Sequence, residues 1–352
     1  MGQIVRVGMI GAGQIAYSHC KGINKHPQAR VTCVADLSEE RGKAIKKEFE
    51  MDRVYTKWED LVADPDVDAV SIALPNVLHA PVSMAAINAG KHVMLDKPFA
   101  LSLSEAKSVA ALSRKSRKVF MVGMNWRFQE DTQKLKVLAS RGDLGDIYHA
   151  KGYWVRRSGS PKFGTWFCRK DVAGGGALLD IGVHMLDASL HLMGNWKPVA
   201  VSGATYTKFG NRGLGEGGWG MSDKSKHIFD VDDFASALIK FQNGATLQLD
   251  AAWACHQETN GRSGVQLFGT EGGAIVPNLK VFRFGKKKGE YEVVEPQNVK
   301  IPYPHGDRFI HWVDVILKKE KALCTVDQAL TVQTIIDGIY RSSQTGKEIR
   351  LR

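Results

Sequence analysis

Short apolar runs alternate with amphipathic stretches in the first part of the chain, and this alternation constrains the fold more than any other feature. Runs rich in valine, isoleucine and methionine predict strands buried on both faces of a sheet, and they cover residues 4–10, 31–36, 68–73, 92–95 and 119–122. Predicted capping boxes, Thr56-x-x-Glu59 and Ser102-x-x-Glu105, each mark the start of a helix. Since strand and helix alternate, we expect an α/β domain on a parallel sheet with right-handed crossovers.

The first predicted crossover carries a glycine pattern, VGMIGAGQIA, in which Gly11, Gly13 and Ala16 have the spacing Gly-x-Gly-x-x-Ala. Gly11 would allow the tight turn, Gly13 would let a pyrophosphate approach the backbone, and Ala16 would permit close helix packing. Gln14 and Ile15 begin this helix, whose N-terminus would face the anion. The pattern predicts a dinucleotide site, although a glycine-rich turn that binds nothing can have the same local sequence.

A carboxylate ends the second predicted strand, since Asp36 lies 20 residues after Ala16. It could accept hydrogen bonds from a ribose diol and would repel a 2′-phosphate, so we expect NAD in preference to NADP. The alternative depends on Arg41, because its guanidinium could reach a phosphate.

Polar residues also follow two later strands. Pro75, Asn76 and His79 come after the third predicted strand, and Asp96 and Lys97 come after the fourth. Because the carboxyl ends of parallel strands line the ligand crevice, we assign these residues to cofactor binding and expect Lys97 to project toward the cofactor. The alternative for Lys97 is an ordinary surface lysine.

The sequence changes character near Gln129 and predicts a second domain. Alternating residues in 147–157, 199–209, 234–241 and 245–253 indicate a largely antiparallel sheet with one exposed face. Residues 326–343 have helical spacing, and the glycine-rich residues 209–227 predict a mobile loop near the substrate opening or a subunit contact. We place the domains at 1–126, which binds the cofactor, and 127–352, which binds the substrate and forms oligomers.

Within the second domain, GGGALLDIGVHMLD joins three glycines to an apolar run with few ionisable groups. If a helix follows the glycines, Asp180 and His184 lie at i and i+4 on one face, where a carboxylate and an imidazole can converge on a substrate. The glycines would then bring the chain close to the cofactor. Asp187 could orient His184, contact a sugar hydroxyl, or lie at the surface near the helix end.

The stretch YWVRRSGSPKFGTWF offers groups suited to a carbohydrate. Trp154 and Trp166 present aromatic faces for the apolar side of a pyranose, and Arg156 and Arg157 present guanidinium groups for its hydroxyls. The alternative is that both tryptophans belong to the core.

Charge and cysteine usage argue against several function classes. The net charge is +11, but the basic residues are scattered without interleaved aromatic residues, so no nucleic-acid partner is expected. No apolar run approaches the roughly 18 residues that span a bilayer, and the N-terminus lacks a signal-peptide layout, so we expect a cytoplasmic protein without a membrane partner. The five cysteines form no CxxC pair, and neither disulfides nor a metal site are predicted.

Over essentially its whole length the chain resembles the glucose-fructose oxidoreductase / inositol dehydrogenase / MocA (Gfo/Idh/MocA) family. The resemblance rests on the Gly11 pattern, on Asp96-Lys97-Pro98 in place of Glu-Lys-Pro, on VGMNWRF, and on the glycine run followed by Asp-x-x-x-His. Asp96 keeps the charge of the usual glutamate but has a shorter reach. We also assign Asn125 and Arg127, within VGMNWRF, to cofactor binding.

The resemblance implies an N-terminal Rossmann domain, with a doubly wound parallel sheet, and a C-terminal α+β domain with a large, mostly antiparallel open sheet. It implies bound NAD, a homodimer or homotetramer formed through that sheet, and catalysis by Lys97, Asp180 and His184. Histidine titrates near neutral pH, so His184 would accept the alcohol proton. Lys97 would stabilise the reacting oxygen while Asp180 holds and polarises the arrangement. Lys97, Asp180 and His184, with the arginines and Trp166, would bind the substrate.

The expected substrate is a carbohydrate or polyol. The Arg-Arg-x-Gly-x-Pro pattern, residues 156–161, is most similar to family members that oxidise the 3-hydroxyl of glucosides. Three alternatives stay open: an inositol dehydrogenase, a glycosidase that oxidises and re-reduces its substrate with tightly bound NAD, and a regulator that binds dinucleotide without catalysis.

Overall fold

The computed structural model describes residues 4–221 and 228–351. The chain forms two compact units that interleave along the sequence. The N-terminal unit contains Met1–Met124 and Asp307–Leu330, and the C-terminal unit contains Asn125–Gly306 and Thr331–Arg352. Residues 307–330 therefore lie in the first unit, whereas the predicted ranges placed them in the second domain; the functions assigned to the two domains stay predictions.

The regular elements are numbered here in chain order. The strands are β1 Val5–Ile10, β2 Ala29–Ala35, β3 Arg53–Tyr55, β4 Ala69–Ile72, β5 His92–Leu95, β6 Phe120–Val122, β7 Ile147–Arg156, β8 Pro198–Tyr206, β9 Phe234–Phe241, β10 Thr246–Ala252, β11 Gly261–Gly269, β12 Gly273–Val276, β13 Lys280–Phe284, β14 Tyr291–Val294 and β15 Ile349–Arg350. The helices are α1 Gln14–Asn24, α2 Glu39–Glu48, α3 Trp58–Ala63, α4 His79–Asn88, α5 Leu103–Lys115, α6 Glu130–Arg141, α7 Lys170–Ala173, α8 Val183–Met193, α9 Arg308–Ile316 and α10 Val326–Thr345.

The N-terminal unit is built on a six-stranded parallel sheet in the order β3-β2-β1-β4-β5-β6. Its central strands are apolar on both faces, and Val7, Val70 and Leu95 are fully buried. The strand order reverses between β1 and β4, which is where doubly wound sheets bind dinucleotides. The predicted Rossmann sheet is confirmed.

One predicted helix start is correct and the other is wrong. Ser102 caps α5 with a complete capping box, in which its hydroxyl accepts from the Glu105 amide and the Glu105 side chain accepts from the Ser102 amide. Helix α3 instead begins after Lys57, without a side-chain cap. Thr56 therefore lies one residue too early to cap it.

The C-terminal unit contains a nine-stranded sheet in the order β14-β13-β12-β11-β7-β10-β9-β8-β15. Strands β7 and β10 pair in parallel, and the other described pairs are antiparallel. Burial alternates along β9, as expected for a sheet with one exposed face. The predicted open, mostly antiparallel sheet is confirmed.

Small residues let helices approach this sheet closely. Gly152 on β7 has no room for a Cβ because Ser189 of α8 lies against it. Gly203 on β8 is similarly close to Ile339 of α10, and its amide donates to Ser342 Oγ at 2.9 Å. The predicted helix at 326–343 corresponds to α10.

Within the described ranges no helix is long and apolar enough to cross a membrane. The five cysteines are free thiols, and the structurally described side chains contain no group of three or more His, Cys, Asp or Glu residues arranged to hold a metal ion.

Candidate active site

The fingerprint turn, residues 11–16, joins β1 to α1. Gly11 has φ +100°, and a Cβ there would collide with the carbonyl oxygen of Ala73. Its amide donates to Ala35 O at 2.8 Å, which ties the turn to the end of β2. Glycine is therefore required both by the backbone conformation and by the neighbouring chain.

The N-terminus of α1 is open to an anion. Gly13 is the N-cap residue and has no side chain to bond the first amides of the helix. Gln14 begins the helix, Ile15 is 45% exposed, and Ala16 is fully buried. A helix N-terminus without a side-chain cap is suited to a phosphate group.

Asp36 is held at the end of β2 with its carboxylate in a fixed position. One oxygen accepts from the Ala12 amide at 2.7 Å, and the other accepts from the Ser38 amide at 2.8 Å and from Arg41 Nη2 at 2.9 Å. The Asp36 side chain is 8% exposed, whereas that of Arg41 is 46% exposed. The Gly11 cradle, the open helix end and this carboxylate fit a dinucleotide.

His79 connects two predicted cofactor-binding turns of the N-terminal unit. A 3₁₀ turn, Asn76–Leu78, follows β4 with Pro75 at its N-cap, and His79 begins α4. The buried imidazole of His79 lies 2.9 Å from Leu74 O and 2.7 Å from Pro98 O. Burial lowers its pKa, although the two carbonyl groups oppose this effect. His79 therefore fixes the turns that carry Asn76 and Lys97.

Asp96 is surrounded by basic groups of its own unit. Its Oδ1 lies 3.6 Å from Arg308 Nη2 and 3.8 Å from His19 Nε2, and the other ring nitrogen of His19 lies 2.9 Å from Ser71 Oγ. Burial opposes ionisation of Asp96, but His19 and Arg308 outweigh it and hold its pKa well below the usual range. The adjoining Lys97 is half-buried and precedes Pro98 through a cis peptide bond.

In the C-terminal unit, the GGG segment, residues 174–187, begins with glycines that make room for one side chain and for one stretch of backbone. Gly174 has φ +80° and ends α7. A Cβ at Gly175 would collide with the Tyr340 hydroxyl, and one at Gly176 would collide with the Asp232 backbone. These contacts within the unit explain why residues 175 and 176 are glycines. That the glycines also bring the chain close to a cofactor stays a prediction.

Asp232 binds the start of this segment. Its carboxylate accepts from the Gly176 and Leu178 amides and from the Tyr340 hydroxyl, each at 2.8 Å, and its carbonyl accepts from the Ala177 amide at 2.8 Å. Burial, and secondarily the Asp232 carboxylate, hold the pKa of Tyr340 well above its usual value, so its hydroxyl stays a donor. We call this arrangement the Asp232 clamp.

The clamp was missed in the sequence. A signal was present, because two adjacent carboxylates, Asp232 and Asp233, directly precede the apolar strand β9. Asp233 is equally buried, and its Oδ2 accepts from the amides of Lys208, Phe209 and Gly210.

The clamp leads into a π-helical turn, Leu178–Gly182, which continues as α8. Asp180 lies in this turn, and one of its carboxylate oxygens accepts from Trp253 Nε1 at 2.9 Å. His184 lies in the first turn of α8, is 8% exposed, and has its ring centroid 5.8 Å from that of Trp154. Single π turns within helices occur frequently at functional sites.

The predicted substrate-binding side chains separate into different places. Arg156 lies over Trp154, with its Cζ 4.9 Å from the ring centroid. Burial lowers the pKa of Arg156, and the Asp180 carboxylate opposes this shift. Arg157 is exposed and hydrogen-bonds to Asn260 and to the Glu258 carbonyl. The structure therefore associates Arg156 and Trp154 with the Asp180–His184 turn, whereas Arg157 bonds to another loop.

Arg127 and Asp187 form a buried ion pair. Arg127 Nε and Nη2 donate to the two carboxylate oxygens of Asp187 at 2.8 and 2.6 Å, and both side chains are almost completely buried. Asp187 is therefore not a surface residue. Asn125, two residues before Arg127, is exposed. The assignment of Asn125 and Arg127 to cofactor binding stays a prediction.

Comparison with known proteins identifies the two parts of the chain separately. Residues 5–124 match the GFO/IDH/MocA family described as an oxidoreductase family with an NAD-binding Rossmann fold. Residues 132–275 match the GFO/IDH/MocA C-terminal domain.

Three similar proteins extend this result. The D-glucoside 3-dehydrogenase of Escherichia coli (strain K12) is 27% identical over 348 residues, which is 99% of this chain and 97% of that protein. The 1,5-anhydro-D-fructose reductase of Ensifer adhaerens is 30% identical over 275 residues, 78% of this chain and 76% of that protein. The crystal structure of GenD2 from gentamicin A biosynthesis, in complex with NAD, is 25% identical with a TM-score of 0.80 and covers 100% of this chain and 97% of that one.

Proposed function

Because this chain belongs to the GFO/IDH/MocA oxidoreductase family, we propose that it uses NAD to oxidise a secondary hydroxyl of a sugar or glycoside, with the 3-hydroxyl of a glucoside as the first candidate. It is an oxidoreductase that uses a nicotinamide cofactor and acts on CH–OH groups of carbohydrates or polyols. The choice of glucoside is supported by similarity to the D-glucoside 3-dehydrogenase over nearly the whole chain.

The observation that carries the proposal is the fixed Asp180 carboxylate beside a histidine-bearing helical turn. Trp253 orients Asp180 by its indole N–H, and the Asp232 clamp holds the backbone that precedes it. His184 follows Asp180 by one turn and lies against Trp154. A carboxylate and an imidazole fixed in this way suit removal of a proton from an alcohol.

The proposed reaction divides into a hydride transfer and a proton transfer. A bound nicotinamide supplies the hydride acceptor, and the protein supplies orientation and electrostatics. His184 accepts the hydroxyl proton as the carbon–oxygen single bond becomes a carbonyl. Lys97 donates a hydrogen bond to the reacting oxygen and stabilises its developing negative charge, a role proposed from the resemblance of Asp96-Lys97-Pro98.

The preference for NAD over NADP is proposed from Asp36. Its carboxylate is positioned by the Ala12 and Ser38 amides and has the charge that would repel a 2′-phosphate. Arg41 pairs with the same carboxylate and partly offsets its charge. The homodimer or homotetramer and the cytoplasmic location stay predictions.

The proposal is tested by absorbance at 340 nm with purified protein, NAD or NADP, and a panel of glucosides, free hexoses and inositols. Reduced cofactor from glucosides, with 3-oxo product identified by NMR, is the expected result. Reduction confined to inositols would assign an inositol dehydrogenase. Release of aglycone without accumulated NADH would assign the oxidising and re-reducing glycosidase, and absence of both reactions across the panel would contradict the proposal.

A further inference from the structure

The glycine-rich loop, residues 213–220, is bound to residues 158–163 of the same unit. Gly215 O accepts from the Ser160 amide at 2.9 Å, and Trp219 O accepts from the Lys162 amide at 2.7 Å. The Glu216 carboxylate accepts from the Phe163 amide at 2.7 Å. The sequence predicts a mobile loop near the substrate opening or a subunit contact at 209–227. These bonds hold residues 215, 216 and 219 within the unit, and residues 222–227 lie outside the described residues.

This attachment places Trp219 within a row of aromatic rings. Its indole N–H donates to Gly159 O at 2.9 Å. Its ring centroid lies 6.5 Å from that of Trp253 on one side and 5.0 Å from that of Phe167 on the other, with edge-on geometry. Phe167 in turn stacks on Trp166, with 3.8 Å between centroids and an interplanar angle of 22°. The row therefore begins at Trp253, which donates to Asp180, and ends at Trp166.

Exposure divides the row into an inner and an outer part. Trp253 is fully buried and packs in the core with Phe229. Trp166, Phe167 and Trp219 are only half-buried. Trp219 is oriented by its hydrogen bond to Gly159, Phe167 packs against the core that contains Trp253, and Trp166 stacks on Phe167. Part of the apolar surface of these outer rings therefore stays accessible.

We propose that Trp166, Phe167 and Trp219 form an outer subsite that binds the second ring of a glycoside, the aglycone ring, while the sugar to be oxidised lies at Asp180 and His184. This inference rests on the proposed function, because it extends the same site. Trp253 connects the outer subsite to the reacting position, because it donates a hydrogen bond to Asp180 and its ring also contacts that of Trp219.

The chemistry of the row favours a ring as its ligand. Aromatic side chains stack on the apolar face of a second aromatic or pyranose ring and make few directional polar demands. Trp154, which lies beside His184 under the Arg156 guanidinium, provides a separate aromatic surface for the sugar that reacts. Two aromatic surfaces, one beside His184 and one connected through Trp253 to Asp180, suit a substrate of two rings better than a single sugar.

The test compares substrates that differ only in the second ring. Methyl and 4-nitrophenyl glucosides, each as α and β anomers, are assayed by NADH formation, and kcat/KM is determined for each of these substrates. For the anomer that reacts, the 4-nitrophenyl glucoside should have the higher kcat/KM by about threefold to tenfold, the range expected for one aromatic stacking contact. Trp166→Ala should reduce this ratio toward one, and Trp166→Phe should give an intermediate ratio.

Phe284→Ala is the matched control, because Phe284 belongs to the same unit, is 86% exposed and contacts Tyr291 rather than the row. It should keep the wild-type ratio. An equal kcat/KM for both glucosides in wild type, or a ratio unchanged in Trp166→Ala, would overturn the subsite.

If no glucoside is oxidised, the proposed function fails, and calorimetric titration in the presence of NAD then tests the subsite alone. Tighter binding of the 4-nitrophenyl glucoside, abolished in Trp166→Ala, would support it. Equal affinities, or no heat from either glucoside, would overturn it. Trp166→Phe decides the same question if the alanine variant does not fold.

Discussion

The fingerprint turn and the GGG segment are both glycine-led entries into a helix, yet they are held by partners at different distances along the chain. Asp36, which bonds the Ala12 amide, is 24 residues away. Asp232 is 56 residues from Gly176, and Trp253 is 73 residues from Asp180. The first turn is thus stabilised within adjacent strands of one sheet, whereas the second depends on residues from distant parts of its unit.

Because of this difference, we expect substitutions in the two segments to change different properties: cofactor binding in one case and turnover in the other. Changes at the fingerprint turn should alter the affinity or choice of cofactor. Changes in the Asp232 clamp should alter turnover, even though Asp232 is buried and Tyr340 is half-buried behind the glycines that they contact. The predictions below test that separation.

The largest expected effect is at the end of the GGG segment. His184→Ala should lower kcat by about 10²- to 10⁴-fold, because it removes the proposed proton acceptor. NAD affinity, measured by calorimetry, should stay near the wild-type value. Turnover like that of wild type would exclude His184 as the base, and a matching loss of NAD affinity would remove the distinction between the two glycine-led turns.

The clamp should give the next largest effect. Tyr340→Phe removes one of the two donors to Asp232 Oδ1, which keeps its bond from the Gly176 amide, and the loss of a hydrogen bond to a charged group destabilises a protein by about 1.5–3 kcal/mol. Since displacement of catalytic groups reduces rate strongly, we expect kcat to fall by about tenfold while the KM for NAD changes little. Urea unfolding and steady-state kinetics measure the two effects.

If the Asp232 clamp only stabilised the fold, stability and kcat would respond in the same way to any lost hydrogen bond of α10. Ser343 lies on α10, the same helix as Tyr340, but its hydroxyl hydrogen-bonds to the Thr205 hydroxyl at 3.0 Å and not to the GGG segment. Ser343→Ala is therefore the control, and it should reduce stability without lowering kcat. Equal losses of kcat in Tyr340→Phe and Ser343→Ala would mean that the clamp does not position Asp180 and His184.

The same contrast explains what the sequence could predict. The parallel sheet, the fingerprint turn and the Ser102 capping box depend on residues close together or on periodic burial, and all three were predicted correctly. Periodicity also predicted the antiparallel sheet and α10. Thr56 was predicted as a cap because its spacing to Glu59 was right, but Lys57 is the N-cap residue and no side chain caps the helix, so spacing alone did not locate the helix start.

The GGG segment was recognisable, but the reason for its glycines was not. Nothing in their neighbours indicates that the Tyr340 hydroxyl and the Asp232 backbone occupy the space of two missing Cβ atoms. Likewise, Asp187 has no local signal for its ion pair with Arg127. Such pairings arise only when the chain has folded, so spacing along the sequence does not encode them.

In the N-terminal unit, Asp36→Ala should change cofactor choice without affecting the chemical step. The loss of a charged hydrogen-bond acceptor should reduce kcat/KM for NAD by about tenfold, while NADP should gain because the repulsion of its phosphate is removed. The measurement is the ratio of kcat/KM for the two cofactors with one substrate. An unchanged ratio would show that Asp36 does not contact the ribose.

Arg41 should give the smallest effect and one of opposite sign. Its ion pair with Asp36 is partly exposed, and such pairs contribute about 0–1 kcal/mol, so Arg41→Ala should change the cofactor ratio by no more than about fivefold. We expect NAD preference to rise, because Asp36 keeps its full charge and NADP loses a possible phosphate partner. Arg30→Ala removes a similar exposed ion pair, with Asp52, and should leave the ratio unchanged. A fall in NAD preference in Arg41→Ala would instead show that Arg41 mainly orients Asp36 for the ribose, which would make the fingerprint turn dependent on a pairing beyond its backbone contacts.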